Sequence, residues 1–264
     1  MYRNPERARC ILITGPGHSA TRLLVQMLAR HPQVSVPTDG LNGVGEFEPL
    51  SQSFRAMLDR MSLADSSYPI DQRELDLILD AYRRRCDPGR PFFLLKKPFF
   101  PLICLPQLLD LLGDNTVLLY NRRPADKIVR SFVARGEHEA LRRDQSGMLL
   151  RKAKRLDPAA RLDWLVSLDP VEYFERYVQR CDGLFRSWNS AHPEHPLHEV
   201  DVERLAASEA YLRNLLAAIG LDPAPAAAMR TVIDQPRLAQ GRSHRWLASL
   251  RRRLRQLAAK VVRA

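Results

Sequence analysis

The chain has 264 residues, of which 45% are hydrophobic, so it can bury one substantial core and is expected to form one main domain. No apolar run approaches the roughly eighteen residues of a membrane-spanning helix, and the first ten residues are too polar for a signal peptide, so we expect a cytoplasmic protein. The formal net charge of +11 lies mainly in residues 235–264, which contain nine Arg or Lys and no acidic residue. The positive charge thus belongs to one short terminal segment, which is weak support for a nucleic-acid surface, so none is expected.

The first half of the chain alternates between short apolar runs and stretches of helical spacing. The apolar runs predict three buried parallel strands, at residues 8–14, 91–97 and 115–121. Helical spacing predicts helices from Ser19 to Pro32, near 50–62, near 72–86 and at 105–114. This alternation of strand and helix predicts an α/β domain with a parallel sheet.

The second half is mostly helical. Helices are expected at 124–135, 170–192, 208–219 and 223–233, with one last strand at 197–202. Four aromatic residues of the middle section are typical of a core, although they could also line an acceptor pocket: Trp164, Tyr173, Phe174 and Trp188. We therefore expect a three-layer α/β fold in residues 1–246, with a parallel central sheet, flanking helices and a helical C-terminal half.

A glycine-containing loop follows the first strand. Loops that join a strand to a helix in this way gather backbone N–H groups and the positive end of a helix around an anion. A nucleoside triphosphate loop would read GxxxxGK[ST], but Ala20 and Thr21 occupy the positions of the second glycine and the lysine. A triphosphate with magnesium is therefore disfavoured, and the simplest alternative is a strand-to-helix junction capped by Ser19.

The same segment resembles the phosphosulfate loop of sulfotransferases that use 3′-phosphoadenosine 5′-phosphosulfate (PAPS), which reads G-x-x-[KR]-[ST]-G-[ST]-x-x-L. Gly15, Ser19, Thr21 and Leu24 match that pattern. The Thr21-Arg22 pair resembles the glycine-threonine-arginine loop of the heparan 3-O-sulfotransferase branch. The resemblance implies a P-loop-like sulfotransferase architecture and a loop that binds the 5′-phosphosulfate of the donor.

Two positions of the loop depart from the family pattern. His18 replaces the basic residue and Ala20 replaces the glycine. Arg22 or a protonated His18 could supply the missing charge. The loop residues that the resemblance assigns to the donor are Gly15, Gly17, His18, Ser19, Ala20, Thr21 and Arg22.

A second segment, VLLYNRRPADKIVRSF, contains Arg123 and, eight residues later, Ser131. This pair resembles the arginine and serine that bind the 3′-phosphate in the sulfotransferase family. A guanidinium binds a phosphate bidentately, and a hydroxyl can donate to a further oxygen. An arginine on a solvated rim is the alternative for Arg123.

Three further segments extend the resemblance along the chain. In LLKKPFF, the family's K-x-P pattern falls on Lys96, whose ammonium would stabilise charge on the bridging oxygen as the bond between sulfur and oxygen breaks. Glu203 matches the glutamate of an acidic strand-to-helix segment, and QGRSHRW resembles the closing segment over the nucleotide, with Arg242 as the phosphate contact.

Sulfuryl transfer needs a bound donor, an oriented acceptor and a base, but no metal, and the chain shows no clustered set of metal ligands. The resemblance places the base in the segment after the first helix, where Glu46 is the preferred candidate and Glu48 and Asp39 are alternatives. His18 could also serve, because the resemblance puts it where the sulfate would lie. The expected acceptor is a hydroxyl or amine of a carbohydrate, glycolipid or small molecule.

Two other classes of protein share the opening strand, loop and helix. A small-molecule kinase with a P-loop would use magnesium-dependent ATP, although the loop lysine is missing. A degenerate nucleotide-binding module would bind adenosine 3′,5′-bisphosphate (PAP) without transfer, which the departures at His18 and Ala20 permit.

Residues 247–264 place leucines and a valine at steps of three and four among six Arg or Lys. This pattern predicts a basic amphipathic helix that could lie on an anionic membrane and bring the protein to the inner face of that membrane. Docking of the apolar stripe on the protein's own core is the alternative.

Overall fold

The computed structural model describes residues 9–36, 72–96, 101–113, 115–135 and 169–234. Within them, one five-stranded sheet has the order β2-β3-β1-β4-β5, and every neighbouring pair is parallel. The strands are β1 (Arg9–Thr14), β2 (Val34–Ser35), β3 (Phe92–Lys96), β4 (Val117–Arg122) and β5 (Leu197–Asp201). The parallel sheet expected from the sequence is confirmed.

Eight helices flank the sheet in the described part of the chain. They are α1 (Thr21–Leu28), α2 (Gln72–Arg83), α3 (Pro101–Leu112), α4 (Ala125–Ala134), α5 (Pro170–Ala191), α6 (Val202–Ala207), α7 (Glu209–Ala218) and α8 (Ala226–Asp234). No helix within the described ranges is long and apolar enough to cross a lipid bilayer.

Both faces of the sheet are buried by helices. Successive side chains of a strand point to opposite faces, so each strand contributes residues to both. In β1, Ile11 and Ile13 pack into a cluster with residues of α1, α6, α7 and α8. Cys10 and Leu12 pack into a second cluster with residues of α2 and α3, against which Phe185 of α5 also packs. This burial on two sides is consistent with a three-layer α/β fold.

The boundaries of several elements differ from the sequence expectations. Helix α1 ends at Leu28 and not at Pro32, because the chain turns there and buries His31. The His31 ring holds this turn through Nε2, 2.8 Å from the Asp222 carbonyl oxygen, and through Nδ1, which accepts the Gln33 N–H at 3.2 Å.

Three further elements were missed or misplaced by the sequence expectations. Strand β2 has only two residues, too few for a recognisable pattern. Helix α3 starts four residues earlier than expected, at Pro101, because proline is well suited to the first helical position. A short helix, α6, precedes α7, and its first N–H groups are capped by the Asp201 carboxylate.

The core interpretation of the aromatic residues is confirmed for Tyr173 and Phe174, which are 5% and 1% exposed. Trp188 is partly buried, and its indole N–H donates to the His195 carbonyl oxygen at 2.8 Å. Trp164 lies outside the described residues.

Candidate functional site

The candidate site lies where β1 and β4, which are neighbours, end at the same edge of the sheet. The chain after β1 leads to β2, at one end of the strand order, whereas the chain after β4 leads to β5, at the other end. Connections that leave two neighbouring strands in opposite directions open a crevice between them, and ligands of open parallel sheets bind there. The two segments at this crevice are the glycine-containing loop after β1 and the turn that begins at Arg123.

The loop after β1 has an unusual backbone conformation. His18 and Ala20 have φ values of 64° and 61°, in the left-handed region that non-glycine residues rarely adopt. Such a conformation costs about 1–2 kcal/mol per residue, and strain of this kind persists where surrounding contacts enforce it. The phosphosulfate-loop pattern that this segment resembles has glycine at the position of Ala20. Glycine adopts a positive φ without steric cost, which is a physical reason for its presence there.

The alternative interpretation, in which Ser19 caps the helix, is wrong. Ala20 is the N-cap residue of α1, and no side chain caps the helix there. The buried Ser19 hydroxyl instead donates to the Pro16 carbonyl oxygen at 2.7 Å and so closes the loop on itself. The left-handed residue between Ser19 and the helix is the reason, because it moves the Ser19 side chain away from the cap position.

Contacts from β4, from α4 and from the turn between them bind the loop. The Asn121 amide of β4 donates to the Ser19 carbonyl oxygen. The His18 ring shares a hydrogen bond with Ser131 of α4, at 2.9 Å between Nδ1 and Oγ, and Arg123 Nη1 donates to the His18 carbonyl oxygen at 3.2 Å. The loop and the segment with Arg123 and Ser131, which the sequence indicated separately, are therefore in contact. His18 is 113 residues from Ser131 and 105 residues from Arg123 along the chain.

Arg122 and Arg123 are neighbours in sequence but differ in environment. Arg122 is exposed, and its Nη1 lies 3.1 and 3.0 Å from the two carboxylate oxygens of Glu199. That carboxylate raises the pKa of Arg122. Arg123 is half-buried and reaches the loop, so the alternative of a solvated rim describes Arg122 better than Arg123.

The start of α1 presents a positive helix end to the crevice. Thr21, the first helical residue, is buried, whereas Arg22 is exposed. The first turn of α1 contains no acidic residue, so no carboxylate there offsets the positive end of the helix dipole. The first N–H groups of a helix lack acceptors four residues earlier; in α1 the Leu23 N–H donates instead to the Ala20 carbonyl oxygen at 2.9 Å.

Lys96 is the last residue of β3, and it pairs in register with Ile13 of β1, two residues before the loop. It continues the alternation of Phe92 and Leu94, so it belongs to the face of the sheet that α1 covers. Glu203, the acidic residue matched by sequence, forms an ion pair with Lys127 of α4.

Several expected site residues lie outside the described part of the chain: Asp39, Glu46, Glu48 and Arg242. Lys97, the variable residue of the K-x-P pattern, lies outside it too. Two residues that contact the loop were missed by the sequence analysis. Asn121 carried a weak signal, because a polar residue follows the apolar run of β4. Tyr177 of α5, whose hydroxyl accepts the Gly17 N–H at 2.9 Å, carried none.

Gly15 lets the loop approach β4 closely. A Cβ atom added at Gly15 would lie 2.6 Å from the Asn121 carbonyl oxygen, and its φ of +139° also disfavours a side chain. We expect Gly15→Ala to lower the free energy of unfolding by about 1–2 kcal/mol, measured by urea denaturation. Gly183→Ala, at a helical glycine with open space around its would-be Cβ, should instead be neutral or stabilising; equal destabilisation by both would contradict this account.

The described residues of the site are chemically suited to an anion with more than one phosphate or sulfate group. Backbone N–H groups at the α1 terminus could bind one such group, and the Arg123 guanidinium with the Ser131 hydroxyl could bind a second. No protein-family model matches the chain, and the curated proteins include no match to it.

Proposed function

We propose that the protein is a sulfotransferase that moves a sulfuryl group from PAPS to a hydroxyl or amine of a carbohydrate, glycolipid or small-molecule acceptor. The observation that carries the proposal is the contact between the loop and the pair Arg123 and Ser131 at one crevice. In the proposed P-loop-like sulfotransferase architecture, the loop binds the 5′-phosphosulfate and the pair binds the 3′-phosphate. The sequence resemblance assigns the same roles to these residues.

In the described structure, Arg123 and Ser131 contact His18, whereas a bound donor would offer them phosphate oxygens. A phosphate carries a charge opposite to that of the guanidinium and can accept two parallel hydrogen bonds from it, whereas the neutral His18 carbonyl oxygen accepts one from Arg123. A 3′-phosphate would therefore compete well for Arg123 against the His18 carbonyl oxygen. This preference supports a nucleotide that carries phosphate at both the 5′ and the 3′ position.

In the proposed reaction, the acceptor atom forms a bond to sulfur as the bond between sulfur and the bridging oxygen breaks. The leaving phosphate keeps the electron pair of that bond. Lys96, at the end of the strand beside β1, is proposed to stabilise the negative charge that develops on the bridging oxygen. The acceptor's proton passes to a base, for which Glu46 and His18 are the candidates.

Calorimetry with PAP, AMP and magnesium ATP tests the proposed donor, followed by transfer from labelled PAPS to a panel of acceptors. We expect PAP to bind more tightly than AMP and label to appear on an acceptor. Equal affinities for PAP and AMP would contradict the assigned 3′-phosphate site. Magnesium-dependent ATP turnover would favour a kinase, and tight PAP binding without any transfer would favour a nucleotide-binding module.

The basic segment 247–264 lies outside the described residues, and we propose that it binds an anionic membrane surface. A basic residue near such a surface contributes about 1 kcal/mol. The full chain should pellet with phosphatidylglycerol vesicles, remain in solution with phosphatidylcholine vesicles and be released by high salt. Removal of residues 247–264 should abolish pelleting; pelleting that is insensitive to both salt and truncation would refute the proposal.

A further inference from the structure

The loop has an anchor on α5, far from it in sequence. The Tyr177 hydroxyl accepts the N–H of Gly17 at 2.9 Å across a separation of 160 residues. Tyr177 is 8% exposed, and its ring meets Phe132 of α4 edge-on at 5.7 Å. The centroid of the Phe132 ring also lies 4.1 Å from that of the His18 ring. One aromatic group therefore packs against both the loop and its anchor.

This packing explains the glycine at position 17. A Cβ atom added there would lie 3.0 Å from Cζ of Phe132 and 3.6 Å from the Tyr177 hydroxyl. Gly17 has no positive φ among the described backbone angles, so a left-handed conformation is not its reason. Gly17 instead allows α4 and α5 to approach the loop backbone, and its N–H is engaged by the protein.

The anchors of the loop differ in what they would do when a donor binds. Arg123 and Ser131 are the groups proposed to turn toward the 3′-phosphate, which would release their contacts with His18. Tyr177 and Asn121 are not assigned to the donor, so their contacts with the loop can persist. They would then have to maintain the left-handed conformations at His18 and Ala20.

We propose that Tyr177 is a positioning residue that keeps the loop in its anion-binding conformation, so that donor affinity depends on a phenol that does not touch the donor. The identity of the ligand rests on the proposed function, whereas the effect on the loop does not. When only a fraction of the molecules hold the loop in its anion-binding conformation, the apparent affinity for the donor is the intrinsic affinity multiplied by that fraction. Loss of one neutral hydrogen bond would weaken PAP binding about three- to tenfold.

Burial raises the pKa of the Tyr177 phenol well above its usual value, and the neighbouring Cys181 acts in the same direction, which outweighs the lowering by the hydrogen bond from the Gly17 N–H. The phenol therefore stays neutral across the ordinary working range of pH. The effect of removing its hydroxyl should be the same at pH 6 and pH 8.

The test compares Tyr177→Phe with Tyr173→Phe, which removes a buried phenol one turn earlier on α5. PAP affinity is measured by calorimetry, and hydrogen exchange is measured on the peptide that contains residues 15–20. We expect Tyr177→Phe to weaken PAP binding about three- to tenfold and to speed exchange at Gly17. With saturating PAPS, its kcat should stay near that of the wild type. Tyr173→Phe should change neither affinity nor loop exchange.

Unchanged affinity and unchanged exchange in Tyr177→Phe would overturn the inference, as would a lower melting temperature with unchanged affinity. Failure of the wild-type protein to bind PAP would refute the proposed function instead. In that case loop exchange decides: faster exchange at Gly17 in Tyr177→Phe supports the positioning role, and equal exchange overturns it.

Discussion

Arg123→Ala is expected to weaken PAP binding roughly ten- to a hundredfold, because a guanidinium-phosphate contact contributes about 1.5–3 kcal/mol. Arg123 directly follows β4, contacts the loop at His18 and is half-buried. Water therefore screens its charge less than at an open surface. Affinity for AMP, which has no 3′-phosphate, should change much less. Calorimetry of PAP and AMP is carried out with the wild type and with Arg123→Ala. The loss of PAP affinity in excess of the loss of AMP affinity measures the contact between Arg123 and the 3′-phosphate.

Arg122→Ala is the matched control, because it removes an equal charge from the adjacent position. The Arg122 side chain is 55% exposed and already paired with Glu199, so its loss should change PAP affinity little. Equal losses in the two variants would show that overall charge, and not a specific contact, determines binding. No loss in Arg123→Ala would remove the 3′-phosphate assignment.

Lys96→Ala is expected to lower kcat about a hundredfold, the effect typical of removing one group that stabilises transition-state charge. The KM for PAPS should change far less, because the charge on the bridging oxygen appears mainly during transfer. Steady-state kinetics with saturating acceptor separates the two parameters. Lys96 occupies the end of β3, directly beside β1, so a catalytic role requires no rearrangement of the sheet.

Lys97→Ala provides the comparison for Lys96, since it removes an ammonium from the next position. We expect it to leave kcat within a few-fold of the wild type. Similar losses from both substitutions would mean that the K-x-P pattern has been placed on the wrong lysine. An increase in KM without a change in kcat would assign Lys96 to donor binding and not to the transition state.

The sequence alone was sufficient to predict the strands that carry the site. Apolar runs predicted β1, β3 and β4 to within about two residues, because burial on both faces leaves a continuous hydrophobic signal in each strand. The two-residue β2 has no such signal and was missed. The sequence also placed Arg123 just after the strand and Ser131 within the following helix, since a proline and a helical pattern follow the strand.

Only the tertiary structure decided how the loop is held. Ser19 looked like an N-cap from its residue type, but the left-handed Ala20 takes that position and the Ser19 hydroxyl turns back to Pro16. Likewise, nothing local distinguishes Arg122 from Arg123 until Glu199 pairs with one and the loop approaches the other.

The physical reason is the range of the interactions involved. Strand and helix periods repeat every two and 3.6 residues, so a short window of sequence contains them. The contacts of Asn121 and Tyr177 with the loop span 102 and 160 residues. They depend on which elements the sheet order brings together. The sequence by itself thus determined the parallel α/β class and the candidate anion-binding segments, whereas folding decided that these segments meet and that Tyr177 joins them.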